Sequence, residues 1–328
     1  MSFTSRLDPG LRRHIRRISV LLLLVGVVVG VVAFGAVTAR TAAAAGLNVA
    51  LLAQGGADFY YPLDATPDPT GSVVYFVAQT QSGEGGVFRV PASGGSVQSV
   101  LVGAPLVSPR GIVTSSDGQT LYVADPAARG GGAVLAVTIM DGSVRFVAGA
   151  HGLAPRALDL VSECGRDILY VAGTNPANRR ADVWRLPADG SGVRVSVLNG
   201  SPLALADGVA VAGDGKVYVA GRTGNSDSSD VVLEVGRRGH RPLVRSVTLG
   251  SPAGIALTAD ESTLLVSSLA ADGTSQVLIV DLGSNATSTF NDVIGANRGS
   301  GGLHRAHDAN VYAWAGIGRT GGVYAVRP

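Results

Sequence analysis

The chain has 328 residues, 46 of them glycine, with apolar residues at 46 % and charged residues at 15 %. That composition excludes disorder and suits many short buried strands joined by tight turns. Six arginines and one aspartate precede Gly46, so the formal charge of +2 conceals a remainder with 20 basic and 23 acidic side chains, net −3, and no electrostatic reason to expect nucleic acid as partner.

Residues 1–17 form a basic region, with Arg12, Arg13, Arg16 and Arg17 ahead of an uncharged, mostly Leu and Val run over 18–38. Positive charge stays on the cytoplasmic side, so the chain beyond the run is expected outside the cytoplasmic membrane. The run is long enough to span a bilayer as one helix, and it also reads as the apolar core of a signal peptide. The Ala-rich stretch 39–46 is a linker that offers cleavage after about Ala45. The expectation is therefore a bacterial extracytoplasmic domain, anchored by this segment or secreted once it is cut. Cys164 is alone, so no intrachain disulfide forms and the domain must be stabilised by burial.

Residues 47–328 repeat one phrase six times, a β-rich apolar run ending in a small residue. Its second positions are Tyr75, Tyr122, Tyr170, Tyr218, Leu265 and Tyr312, spaced 47 or 48 residues apart. Regular self-similarity at this period points to a repeat architecture. Each unit opens with a shorter strand, as in Gly111-Ile112-Val113 or Gly208-Val209-Ala210, and continues with a third and a fourth after Gly or Asp turns. The pattern predicts an all-β fold, a six-bladed β-propeller of four-stranded blades preceded by one N-terminal apolar helix. The last unit lacks its outer strand, and Leu47–Leu52 has a strand pattern without a unit of its own. The N-terminal strand is therefore expected to complete the last blade and leave no open edge.

Turns such as Ser116-Asp117-Gly118 and Gly213-Asp214-Gly215 are tight hairpins, so one face carries little but turn chemistry. The longer connections gather on the opposite face, where sites on rigid scaffolds usually lie. The position two before each inner-strand apolar anchor gives a ring at the channel mouth: Tyr61, Arg110, Arg156, Asp207, Ala253 and Gly301. Two arginines in adjacent units suit a carboxylate or phosphate, with Asp207 accepting a hydroxyl or holding a metal. The competing reading pairs Arg156 with Asp207 as a plug. His304 and Asp308 form the other acid–base set near an inner strand, catalytic in one reading, with His304 in the other a polar group facing channel water.

The stretch Ala206-Asp207-Gly208-Val209-Ala210-Val211-Ala212-Gly213-Asp214-Gly215-Lys216-Val217-Tyr218-Val219-Ala220 resembles a repeat of the SMP-30/gluconolactonase-like propellers, and Arg156-Ala157-Leu158-Asp159-Leu160 is similar to their inner strands. NHL-like six-bladed propellers share much of the phrase. The resemblance implies the propeller fold and, in its lactonase members, a divalent metal held at the channel mouth by a Glu, Asn residues and an Asp. Only Asp207 matches that set, with arginines at two neighbouring positions, so the metal-site motif is incomplete; Ca²⁺ typically takes about 6–8 oxygen ligands.

The leading expectation is a non-catalytic extracytoplasmic propeller that needs no cofactor and binds a small anionic ligand or a protein partner on its loop-rich face, at Tyr61, Arg110, Arg156, Asp207 and His304. The alternative is a lactonase-like hydrolase with a divalent metal such as Ca²⁺ on Asp207. A quinone-dependent sugar dehydrogenase is a third option, without the basic, His-bearing cofactor bed it would need.

Overall fold

Strand β1 (Asn48–Gln54) opens the folded region. It is followed by β2 (Tyr60–Pro67), β3 (Val73–Gln79), β4 (Gly85–Pro91) and β5 (Gln98–Val102), which form one antiparallel sheet in that order. The next sheet is β6 (Gly111–Thr114), β7 (Thr120–Asp125), β8 (Ala133–Thr138) and β9 (Val144–Phe146). A third holds β10 (Ala157–Glu163), β11 (Arg166–Thr174), β12 (Ala181–Pro187) and β13 (Val195–Ser196). Then come β14 (Leu203–Val211), β15 (Val217–Thr223), β16 (Asp230–Gly236), β17 (Gly239–Leu249), β18 (Ile255–Leu257), β19 (Thr263–Leu269), β20 (Ser275–Asp281) and β21 (Thr287–Ile294). The chain closes with β22 (Ser300–Arg305), β23 (Tyr312–Gly316) and β24 (Gly322–Arg327). The structure, a computed structural model, describes residues 47–198, 202–224, 229–294, 299–318 and 320–327.

The innermost strands β2, β6, β10, β14, β18 and β22 touch in turn, and β22 returns to β2, so they form a closed ring. The strand from the start of the folded region pairs antiparallel with the last strand, Asn48 opposite Arg327 through Gln54 opposite Gly322, and completes the sheet β1-β24-β23-β22. This is the closure expected from the missing outer strand of the last repeat.

The second strand of each unit is buried along nearly its whole length: β3, β7, β11, β15, β19 and β23 carry the Tyr or Leu of the repeated phrase. Such strands read as unbroken apolar runs rather than alternating ones because neighbouring sheets cover both faces. Outer strands face solvent and their pattern weakens accordingly; β5, β13 and β17 are largely exposed. Close approach at the ring demands glycine. A Cβ on Gly208 would strike the Ala253 carbonyl, and one on Gly302 would strike the Asp64 carboxylate.

The repeats predict six separate four-stranded sheets, whereas the described residues form four such sheets and one of eight strands, β14 through β21. The cause is the length of β17, whose 11 residues carry Thr248 and Leu249 far enough to pair with Leu269 and Ser268 of β19. The predicted N-terminal helix lies outside the described residues; among those described, no helix is long and apolar enough to cross a membrane.

Candidate functional site

The mouth residues sit where the inner strands lose their regular pairing. In β14 the register shifts between Ala206 and Gly208, which pair with Gly221 and Ala220, so Asp207 is the extra residue of a bulge. Bulges re-aim a side chain, and here the carboxylate leaves the ladder. In β2 pairing jumps from Tyr60 to Asp64, and Tyr61 within the gap takes a left-handed φ of 49°. Tyr61 is 42 % exposed. Arg110 and Arg156 occupy equivalent places, each donating its backbone N–H to the last alanine carbonyl of its own second strand, Ala124 and Ala172, at 2.8 Å.

Arg156 and Asp207 meet. Arg156 Nη1 donates to Asp207 Oδ1 at 3.2 Å and to Ser251 Oγ at 3.4 Å. The two ends differ in solvation, the Arg156 side chain being 27 % exposed and that of Asp207 8 %. Burial pushes the Asp207 carboxyl up from its ordinary value, opposed by the charge of Arg156, a hydrogen bond with Ser251 and the charge of Arg110. Arg110 stands half-buried beside this pair. Burial and the charge of Arg156 lower its pKa, and Asp207 partly offsets them. The Arg110 guanidinium makes no hydrogen bond among the described residues. Ala253 and Gly301 complete the ring with backbone alone: Ala253 N–H donates to the Asp207 carbonyl at 3.0 Å, and the Gly301 carbonyl accepts from Ser267 Oγ at 2.6 Å.

His304 lies apart from the mouth residues and lines a cavity of the channel. Its ring is buried, Nε2 lying 3.1 Å from Asp64 Oδ2. Asp308, the acid proposed beside it, is exposed, lies 4.0 Å from His307, and has its backbone N–H donating to the Pro69 carbonyl. Asp64 also accepts from the backbone N–H of Ile112 at 2.9 Å, tying β2 to β6 on one side and β22 on the other. Asp159 plays the equivalent part between β10 and β14, accepting from Leu160 N–H at 2.9 Å and Val211 N–H at 2.7 Å. Asp64 and Asp159 are absent from the residues singled out by sequence, yet a signal exists: in Leu63-Asp64, Leu158-Asp159 and Leu303-His304 an ionisable residue comes directly after the inner-strand anchor at one repeat position.

Divalent metal does not fit at Asp207. Its single carboxylate is committed to a guanidinium, a second guanidinium stands nearby, and no group of three His, Cys, Asp or Glu that could hold a metal occurs among the described residues. A hard cation needs several oxygens and no competing positive charge.

No family model and no curated protein matches the chain. Solved structures do resemble it. A gluconolactonase from Xanthomonas campestris is 16 % identical, with a TM-score of 0.60 over 86 % of this chain and 89 % of that one. A chain of a nidogen/laminin complex is 15 % identical at a TM-score of 0.55 over 75 % of this chain and 93 % of that one. TolB from Acinetobacter baumannii is 11 % identical at 0.55, covering 70 % of this chain, which spans 54 % of that one. The fold is an all-β propeller. At these identities the likeness speaks for architecture alone, and propellers host many functions.

Proposed function

We propose that this is a non-catalytic propeller of six blades, the eight-stranded sheet supplying two, whose loop-rich channel mouth binds a small carboxylate- or phosphate-bearing ligand. The observation that carries the reading is the Arg110 guanidinium, half-buried and without a hydrogen-bonded partner among the described residues, beside the Arg156–Asp207 pair. A planar guanidinium presents paired donors that match carboxylate and phosphate oxygens, and partial burial strengthens such charge-assisted bonds. Arg156 keeps solvent access and adds a second positive charge, while Asp207 and Ser251 hold it in place. The mouth thus carries a net positive charge on a nearly neutral domain. The N-terminal segment supports an extracytoplasmic position, anchored or secreted.

A protein partner is the second reading. Tyr61 and Val107, 42 % and 58 % exposed, lie in chain segments leading to the mouth, and exposed aromatic and apolar side chains there suit an interface. The test for the leading reading is a thermal melt of the full chain in phosphate, citrate and succinate at fixed ionic strength. At least one anion is expected to raise the midpoint, as a ligand of the native state does, and Arg110→Ala should abolish the rise. Equal response in both proteins refutes the reading.

A further inference from the structure

The channel has a second end. Below the Asp64–His304 deck, on the face of the tight turns, lies a cavity of about 210 Å³ lined by Val113, Asp159, Val211, Ile255, Leu257 and His304. It has room for several waters. Its walls combine branched apolar side chains with the carboxylate of Asp159, and a second carboxylate, Glu261, stands at the rim.

The charges facing it do not balance. Across the deck, Asp64 and Asp159 stand against His304, which is committed to Asp64 through Nε2, while Arg305 reaches Asp159 only through its charge from the rim. At the rim, Arg305 donates to the Ala306 and His307 carbonyls at 3.0 and 3.3 Å, and Glu261 accepts from Gly213 N–H at 2.7 Å. His307 also borders the cavity. Asp159 receives only the backbone N–H groups of Leu160 and Val211, and no cationic side chain hydrogen-bonds to it among the described residues. It retains accessible surface despite its depth, because it faces the cavity. A carboxylate at this depth is normally paired with a cation, and Asp159 instead lines the cavity.

We propose that the turn-side end of the channel is a binding site for a small aliphatic amine, with the ammonium group on the Asp159 carboxylate and the methylenes against Val113, Val211 and Ile255. An ammonium brings the missing positive charge and N–H donors, and the branched walls take the chain. A neutral polyol would satisfy the hydrogen bonds and leave the charge unbalanced. The site is opposite in sign and in position to the anion-binding mouth and does not depend on it.

The test is calorimetric titration of the full chain with ethanolamine and n-butylammonium, beside glycerol and n-butanol as neutral counterparts. Saturable binding of an amine but not of its neutral counterpart is expected. Asp159→Asn should weaken it about tenfold or more, the scale of a lost hydrogen bond to a charged group, and Arg110→Ala should leave it unchanged. Asp159 also ties two strands together, so a variant that preserves them provides an independent reading. Ser162 lies exposed at the rim of the cavity, and Ser162→Trp should obstruct the opening and reduce binding without touching the deck. No saturable amine binding, equal binding of the neutral counterparts, or amine binding that survives both Asp159→Asn and Ser162→Trp overturns the proposal.

Discussion

His304→Ala removes the one cationic partner of a carboxylate that joins three inner strands. Asp64 Oδ2 lies 3.1 Å from His304 Nε2 and accepts from Ile112 N–H at 2.9 Å, while Oδ1 accepts from Ala65 N–H at 2.8 Å. Both side chains are buried, at 8 % and 1 % exposure, so water does not replace the lost partner. Removing one member of a buried pair typically costs about 3–5 kcal/mol. At about 2–4 °C per kcal/mol for a large domain, the midpoint should fall by roughly 6–20 °C.

The effect has a definite pH dependence. Burial disfavours the imidazolium, but the charge and hydrogen bond of Asp64, with the charge of Asp159, outweigh it and raise the His304 pKa. A raised folded-state pKa means that the stabilisation is complete below the ordinary imidazole range and is lost as pH rises through the folded value. Circular dichroism melts of the full chain and His304→Ala should therefore diverge most at mildly acidic pH and converge on the alkaline side. A variant that melts with the parent at every pH, or a gap that widens as pH rises, refutes the reasoning.

Other perturbations reach the closure, the packing and the mouth. Deleting residues 48–54 strips the edge partner from β24 and should abolish cooperative unfolding in denaturant melts, because the ring then has an open sheet. Gly302→Ala forces a methyl group into the Asp64 carboxylate and should lower stability by about 1–3 kcal/mol or more in urea titrations. Burial raises the Asp207 carboxyl, so the folded protein takes up a proton there before the unfolded chain does as pH falls. Its destabilising charge is relieved below the folded pKa, and Arg156 is freed at the same time. Anion affinity at the mouth should therefore rise as pH drops through that range, and Asp207→Asn should flatten the profile measured by calorimetry.

The fold was legible because its information is local and repeated. Tyr75, Tyr122, Tyr170, Tyr218, Leu265 and Tyr312 each mark a buried second strand, and the spare strand at Asn48–Gln54 matched the vacancy beside β24. The joined eight-stranded sheet was not legible, since it depends on how far β17 runs past its own partner, and exposed outer strands carry little apolar pattern. At the mouth the sequence placed Arg110, Arg156 and Asp207 in one ring but left open whether the last two pair. The answer rests on a bulge at Asp207 and on Ser251, 95 residues from Arg156. The His304–Asp64 pair joins residues 240 apart, a separation that only ring closure brings within hydrogen-bonding distance.

The central claim is that Arg110 is an anion-binding group, and the most direct measurement is a calorimetric titration of the full chain with inorganic phosphate at constant ionic strength. The account predicts saturable one-site binding that Arg110→Ala abolishes and Arg156→Ala weakens. Heats that never saturate, or saturable binding unchanged by Arg110→Ala, would contradict it.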